Sequence, residues 1–195
     1  MSGSKVIFNW SGGKDSALAL YYTLEDPRFS VSTLLTSVNS ETERISMHGV
    51  SKELLHKQAE EIGLPLSILS LPGEISMSQY DALMKTHMEA LIKPRVTHSA
   101  FGDIFLEDLK KYREEKLTEI GLIGHFPLWQ TNTLDLVREF IDLGFRTLVV
   151  AIDGSKLDKS FVGRELTMDF VKDLPEGIDP CGENGEFHTF VFEGP

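Results

Sequence analysis

Five uncharged residues, Val6 to Trp10 (VIFNW), run directly into Ser11-Gly12-Gly13-Lys14-Asp15-Ser16 and then into a small-residue apolar stretch. An apolar β-prone run without an internal charge is the pattern of a strand buried on both faces in a parallel sheet. The residues after the turn, Ser16 to Glu25, read as a helix. Similar pairs follow: Phe29 to Val38 with Ser51 to Ile62, Leu66 to Leu71 with Ser76 to Ile92, and Val96 to Phe101 with Phe105 to Ile120. Strands alternating with helices imply parallel βαβ units joined by right-handed crossovers, so the fold class is α/β.

Beyond GLIGHFPLWQ, punctuated by Gly and Pro, the pattern loosens. It predicts a helix from Thr133 to Leu143, a strand from Arg146 to Ile152 and a short helix near Gly163 to Asp173. The last stretch packs prolines and glycines around one β-prone run, Phe187 to Phe192, and reads as a long loop feeding an edge or hairpin strand. A soft boundary falls near Trp129. It divides residues 1–128 from a smaller α+β region, residues 129–195.

At 195 residues, 41% hydrophobic and 25% charged, the chain can bury a real core. It contains no apolar segment near the roughly 18 residues that cross a bilayer and no basic-then-apolar export pattern, so the expectation is a soluble cytoplasmic protein without membrane contact. The formal charge of −11 opposes binding a polyphosphate backbone, which makes a nucleic-acid partner unfavourable. A single cysteine, Cys181, excludes a disulfide or a Cys-x-x-Cys pair within the chain. The chain alone leaves a homo-oligomer open.

The Ser-Gly-Gly-Lys-Asp-Ser turn has the chemistry of an anion site. Glycines let the backbone approach a phosphate without a Cβ in the way, and open N–H groups at a helix start carry about half a positive charge. Lys14 adds a full charge, and the Ser11 and Ser16 hydroxyls add donors. Asp15 suits either a metal ligand or a helix cap. The turn is not a Walker A loop, because Phe8 stands where that motif needs its first glycine and Asp15 where it needs Ser or Thr. A plain strand-to-helix turn with a surface lysine is the competing reading.

Other candidates are weaker from residues alone. Asp103 follows Gly102 at the end of the fourth predicted strand, where α/β sheets place ligands, and suits a helix cap equally well. Glu183 and Glu186 flank a glycine in a loop, as catalytic acids or as a solvated acidic turn. His48, in SMHGV, is a candidate phosphate or acceptor contact or plain polar surface. The remaining histidines, His188 apart, show no ligand spacing. Trp10 and Trp129 read as core, and Cys181 as a passive neighbour of the glutamates.

The loop Ser11 to Ser16 resembles the pyrophosphate loop of the PP-loop ATP pyrophosphatases. CGENGEFHTFVFEGP, together with PLW at Pro127 to Trp129, VGREL from Val162, and His48, resembles the diphthine–ammonia ligase family within them. The resemblance implies a HUP-type (adenine nucleotide alpha hydrolase-like) sheet of about five parallel strands, with residues 1–128 as the ATP-binding domain and 129–195 as a substrate-binding and catalytic region. It implies ATP and Mg²⁺, with Ser11, Gly12, Gly13, Lys14, Asp15, Ser16 and His48 at the nucleotide, Asp15 toward the metal, and Asp103, Glu183, Glu186 and His188 as catalytic groups. The implied reaction activates a substrate carboxylate as an acyl-adenylate, releases pyrophosphate and aminates the intermediate with ammonia. Asn184 replaces a glycine of the family pattern and His188 a glutamate, and FGDIFLEDLKKYREE replaces the stretch expected to meet the acceptor. The acceptor is therefore open. A tRNA-modifying PP-loop enzyme and a non-catalytic nucleotide sensor are the rival readings.

Overall fold

The computed structural model describes residues 3–45, 49–92 and 95–195. The βα alternation appears as read from the sequence: β1 (Ser4–Asn9), α1 (Lys14–Glu25), β2 (Phe29–Asn39), α2 (Lys52–Ile62), β3 (Leu66–Leu71), α3 (Met77–Leu91), β4 (Val96–Ala100), α4 (Glu107–Thr118), β5 (Ile123–His125), α5 (Thr133–Asp142), β6 (Arg146–Ile152), α6 (Met168–Asp173) and β7 (Phe187–Glu193). The first five strands form one parallel sheet in the order β3-β2-β1-β4-β5, a HUP-type α/β arrangement. The strand order reverses at β1, so the crevice between the ends of β1 and β4 is where such a sheet offers a ligand site. β6 and β7 form a separate antiparallel pair.

Side-chain alternation along β1 divides the interior into two layers. Val6, Ile7 and Phe8 are fully buried. Val6 and Phe8 join a large apolar cluster with α1, α2, α5, β6, α6 and β7. Ile7 faces the other way, into a smaller cluster with Met88 of α3 and Leu117 of α4. The small C-terminal sheet is thus built onto the same core as α1 and α2, while α3 and α4 cover the opposite face.

The helix ends follow from local chemistry. Ser76 and Gln79 form a reciprocal capping box at α3, and Asn132 Oδ1 accepts from the amides of Leu134 and Asp135 at α5. Gly63 closes α2 in the left-handed region. α1 differs: its N-cap is Gly13, which has no side chain to offer.

Two elements depart from the sequence reading. β5 lies inside the punctuated GLIGHFPLWQ segment, because three residues centred on Gly124 carry no apolar run that would announce a strand; pairing with His98 to Ala100 of β4 makes it one. The short helix expected near Gly163 to Asp173 is present but starts later, as α6, after a 3-10 turn at Lys159–Phe161. Gly163, at φ +82°, ends the turn, Glu165 bridges Leu148 of β6, and α6 starts only where Thr167 accepts from the Phe170 amide. No helix among the described residues is long and apolar enough to cross a membrane.

One side chain ties the two sheets together. Gln58 of α2 donates to the carbonyls of Gly12 (3.1 Å) and Val191 (2.7 Å) and accepts from the buried Trp10 indole (3.1 Å). Replacing it with leucine keeps the bulk and strands these polar groups, a loss of about 2–3 kcal/mol. Gln58→Leu should lower Tm by about 5–10 °C in a thermal melt; an unchanged melt would show that the bridge contributes nothing.

Candidate nucleotide cleft

The Ser11–Ser16 turn sits at the C-terminal end of β1, in the crevice expected from the strand order. Gly12 adopts φ +75°, and a Cβ there would stand 2.6 Å from Gln58 Oε1, so both the backbone and the bridge demand glycine. Gly102, after β4, presses on the first turn of α1 so closely that a Cβ would lie 2.9 Å from the Asp15 carbonyl. That contact sets the spacing between the two lips of the crevice. Within the turn, Ser11 Oγ accepts from the Gly13 amide (3.3 Å) and bonds Ser16 Oγ (3.0 Å), which also donates to the Gly13 carbonyl (2.9 Å).

Residues from the far end of the chain complete the loop. The Lys14 amide donates to Thr189 Oγ1 of β7 (3.0 Å), and the Val191 amide donates to the Gly12 carbonyl (2.9 Å). The Lys14 ammonium is buried, donates to the Cys181 carbonyl, and stands 2.7 Å from Asp15 Oδ2. Burial works against its charge, but Asp15, Cys181 and Glu183 outweigh it and leave the pKa raised. Lys14 is therefore a cation held between the loop and the C-terminal segment.

Glu183 projects into the same crevice, its Oε1 accepting from the Ile104 amide (2.9 Å). Burial is the main force on its carboxyl; with Asp15 and Asp103 nearby it is pushed up to about 7, against the pull of the Ile104 amide and Lys14. Asp103 pairs with Arg113 of α4, Nε to Oδ2 at 2.7 Å and Nη2 to Oδ1 at 3.2 Å, yet burial still lifts its pKa. His188 faces the cleft from β7, where burial and then Lys14 hold it below the usual histidine value.

Together these residues line a cleft of about 730 Å³, a size suited to a nucleotide with a small partner. Ser11, Gly13, Lys14, Asp15, Ser16, Asp103, Glu183 and His188 all border it. Glu186 does not. Glu186 is 2% exposed, and its Oε1 turns into its own loop, accepting from Asn184 Nδ2 (3.1 Å) and the Asp179 amide (3.4 Å), while Oε2 is buried without a hydrogen-bond partner among the described residues. Burial raises its pKa, and these donors together with its own amide bring it below the ordinary value. His48 lies outside the described residues. Among the described residues, no group of three or more His, Cys, Asp or Glu side chains could hold a metal ion.

Several participants carried no signal in the sequence. Thr189, Gln58 and the Cys181 carbonyl reach the loop across 175, 46 and 167 positions respectively. Arg113 sits in an ordinary charged helix. Asp179, whose Oδ2 accepts from the amides of Cys181 and Glu183 (both 3.0 Å), shapes the glutamate loop. An Asp two residues before a cysteine in a Gly-rich loop is a recognisable Asx-turn cue, the one local hint available.

Comparison with known proteins agrees with this architecture. Diphthine–ammonia ligase from Homo sapiens is 29% identical over 96 residues, 46% of this chain and 36% of the relative, and that from Bos taurus is 28% identical over the same share. The match thus takes in 36% of the length of these curated relatives. A solved structure from Methanocaldococcus jannaschii, described as a "predicted subunit of tRNA methyltransferase", superposes with a TM-score of 0.50 at 15% identity over 98% of both chains, a likeness of fold. The diphthamide synthase N-terminal domain model matches residues 4–123 and the diphthamide synthase C-terminal domain model matches residues 132–195. With nearly its whole length covered by these two, the chain belongs to the diphthamide synthase family, that of the diphthine–ammonia ligases.

Proposed function

We propose that this chain is an ATP-dependent amide ligase that cleaves ATP between its α- and β-phosphates. In this reading a substrate carboxylate oxygen attacks the α-phosphate and pyrophosphate departs. Ammonia then adds to the acyl-adenylate carbonyl, AMP leaves with the bonding pair of the acyl–oxygen bond, and the nitrogen loses a proton. The observation that carries the reading is the Ser11–Ser16 turn: a glycine-capped start of α1, two serine hydroxyls and a buried lysine, in one cleft with a carboxyl shifted to about 7, while Gly12 shapes the turn without bordering the cleft. Family membership supports it. A thiolating tRNA enzyme fits less well with a charge of −11 and one cysteine.

The roles divide as follows. Amides of the turn, with Lys14 and the Ser11 and Ser16 hydroxyls, hold the departing pyrophosphate, where preorganised donors matter most. Asp15, at the cleft edge, would be a single protein ligand to Mg²⁺, whose other ligands would be phosphate oxygens and water. Bound there, Mg²⁺ would neutralise charge on the leaving group. Glu183 takes the proton from the incoming nitrogen, a task suited to a carboxyl titrating near 7. Asp103 and His188 border the reacting centre, and Glu186 is a positioning residue that fixes the glutamate loop. Residues 1–128 thereby carry the nucleotide together with Asp103, and 129–195 bring Glu183 and His188 to the reacting centre.

Incubation with ATP, Mg²⁺, ammonium and a panel of carboxylates should yield AMP and pyrophosphate in equal amounts; ADP and phosphate would contradict the assigned bond. The carboxyl of Glu183 makes a second expectation. Its folded pKa lies above the ordinary 4.5, so the folded state binds the proton more tightly, and folding stability falls as pH rises from about 4.5 to about 7. The deprotonated base accumulates through that pKa, so at a fixed concentration of free ammonia AMP release should reach half its maximum near pH 7 and level off above it. Glu183→Gln should abolish that limb and lower turnover by roughly 10²-fold or more, while ATP affinity changes little. A variant with the wild-type profile would remove Glu183 from the mechanism.

A further inference from the structure

The parallel sheet ends in two edge strands of different character. β5 is three residues long. β3, Leu66–Leu71 (LSILSL), is six residues long and lies within residues 62–73, which hold no charged side chain in a chain that is 25% charged. Proteins normally blunt a long edge with a lysine, an inward charge or a bulge, because its unpaired N–H and C=O groups are a template for another strand. β3 carries no charge, and its register with β2 is unbroken, so no bulge turns it away.

Pairing with β2 fixes which backbone groups are left over. The Leu34 and Ser40 amides donate to the carbonyls of Pro65 and Leu71 (both 2.8 Å), so the odd-numbered residues face β2. Leu66, Ile68 and Ser70 therefore turn their N–H and C=O groups outward, and none of these is bonded to another backbone group among the described residues. Ser70 is exposed and Leu66 and Ile68 are half-buried, so the edge is open to solvent. On its flank, α3 is held to the strand by Ser67 Oγ and His87 Nε2 (2.8 Å), and Leu83, one turn earlier on that helix face, is 39% exposed.

These outward groups are self-complementary. In an antiparallel ladder, bonded residues exchange both hydrogen bonds and recur at every second position. Centred on Ile68, a second copy pairs Ile68 with Ile68 and Leu66 with Ser70, which satisfies every outward group of both strands. At the next step Pro72 meets Leu64 and offers no N–H, so the ladder stops at the same place at both ends. The two-fold axis stands perpendicular to the sheet, so α3 runs beside its own copy and the exposed Leu83 side chains share one flank. We infer that β3 is a dimerisation edge, joining two copies of this chain antiparallel about Ile68 into one continuous sheet. With β2 between this edge and β1, each copy keeps its own nucleotide cleft.

Sedimentation equilibrium of the whole protein should give twice the 21.9 kDa of the chain, and association should tighten as salt is raised, since two bodies of charge −11 repel. Ser70→Pro removes one outward N–H at an exposed position. It should weaken association roughly tenfold or more while the far-UV circular dichroism stays as in wild type. Disulfide trapping with copper phenanthroline reads the register, with the buried Cys181 as a silent background. Ile68→Cys should crosslink, because hydrogen-bonded partners stand about 5.5 Å apart at Cα, within disulfide reach. Ser70→Cys, more exposed but about 14 Å from its own copy, should not. A monomer at every concentration would leave the edge to a foreign strand and overturn the inference from the wild-type protein alone. A dimer unchanged by Ser70→Pro, or Ser70→Cys crosslinking as fast as Ile68→Cys, would overturn it equally.

Discussion

The start of α1 is closed by residues from the other end of the chain. Gly13 caps the helix without a side chain, and the first helical amide is bonded instead by Thr189 of β7, while the Gly12 carbonyl takes the Val191 amide. Lys14 then reaches the Cys181 carbonyl. These contacts, braced by Gln58, hold the small C-terminal sheet against the parallel sheet at the point where the strand order reverses. The cleft exists because of this closure, since one wall belongs to each end of the sequence.

The closure also sets the electrostatics. A buried ammonium is costly unless paired, and Lys14 is paired by Asp15 and a backbone carbonyl. Asp15, Asp103 and Glu183 then crowd one crevice in which Lys14 and Arg113 supply the opposing charge. Burial does most to lift the Glu183 carboxyl to about 7, and Asp15 and Asp103, whose partners are Lys14 and Arg113, add to the lift. One ionisable group is thereby poised between its two states at neutral pH, a property that a base in amide formation requires.

Much of the parallel sheet and the glycine turn between β1 and α1 could be read along the chain, because both rest on local cues: uncharged β-prone runs, helical periodicity, and glycines at a strand-to-helix junction. β5 could not, since its three residues become a strand only by pairing with β4. The helix expected near Gly163 starts only at α6, because a left-handed glycine and a bridge to β6 hold the residues before it out of a helix. Glu183 and Glu186 look equivalent in the sequence. Folding separates them: one carboxyl faces the cleft and the other turns into its own loop, with its Oε1 on Asn184 and the Asp179 amide. Thr189, Gln58 and Arg113 act through contacts between distant positions, and no local pattern marks a residue for that use.

The central claim is that the amides of the Ser11–Ser16 turn, with Lys14, receive the terminal phosphates of ATP. A crystal structure with Mg²⁺ and α,β-methylene-ATP tests it most directly. The β- and γ-phosphates should lie against the amides at the start of α1, within hydrogen-bonding distance of the Ser11 and Ser16 hydroxyls, and the Lys14 ammonium should turn toward them. Phosphates bound elsewhere, with Lys14 still on the Cys181 carbonyl and the turn filled only by its own side chains, would contradict it.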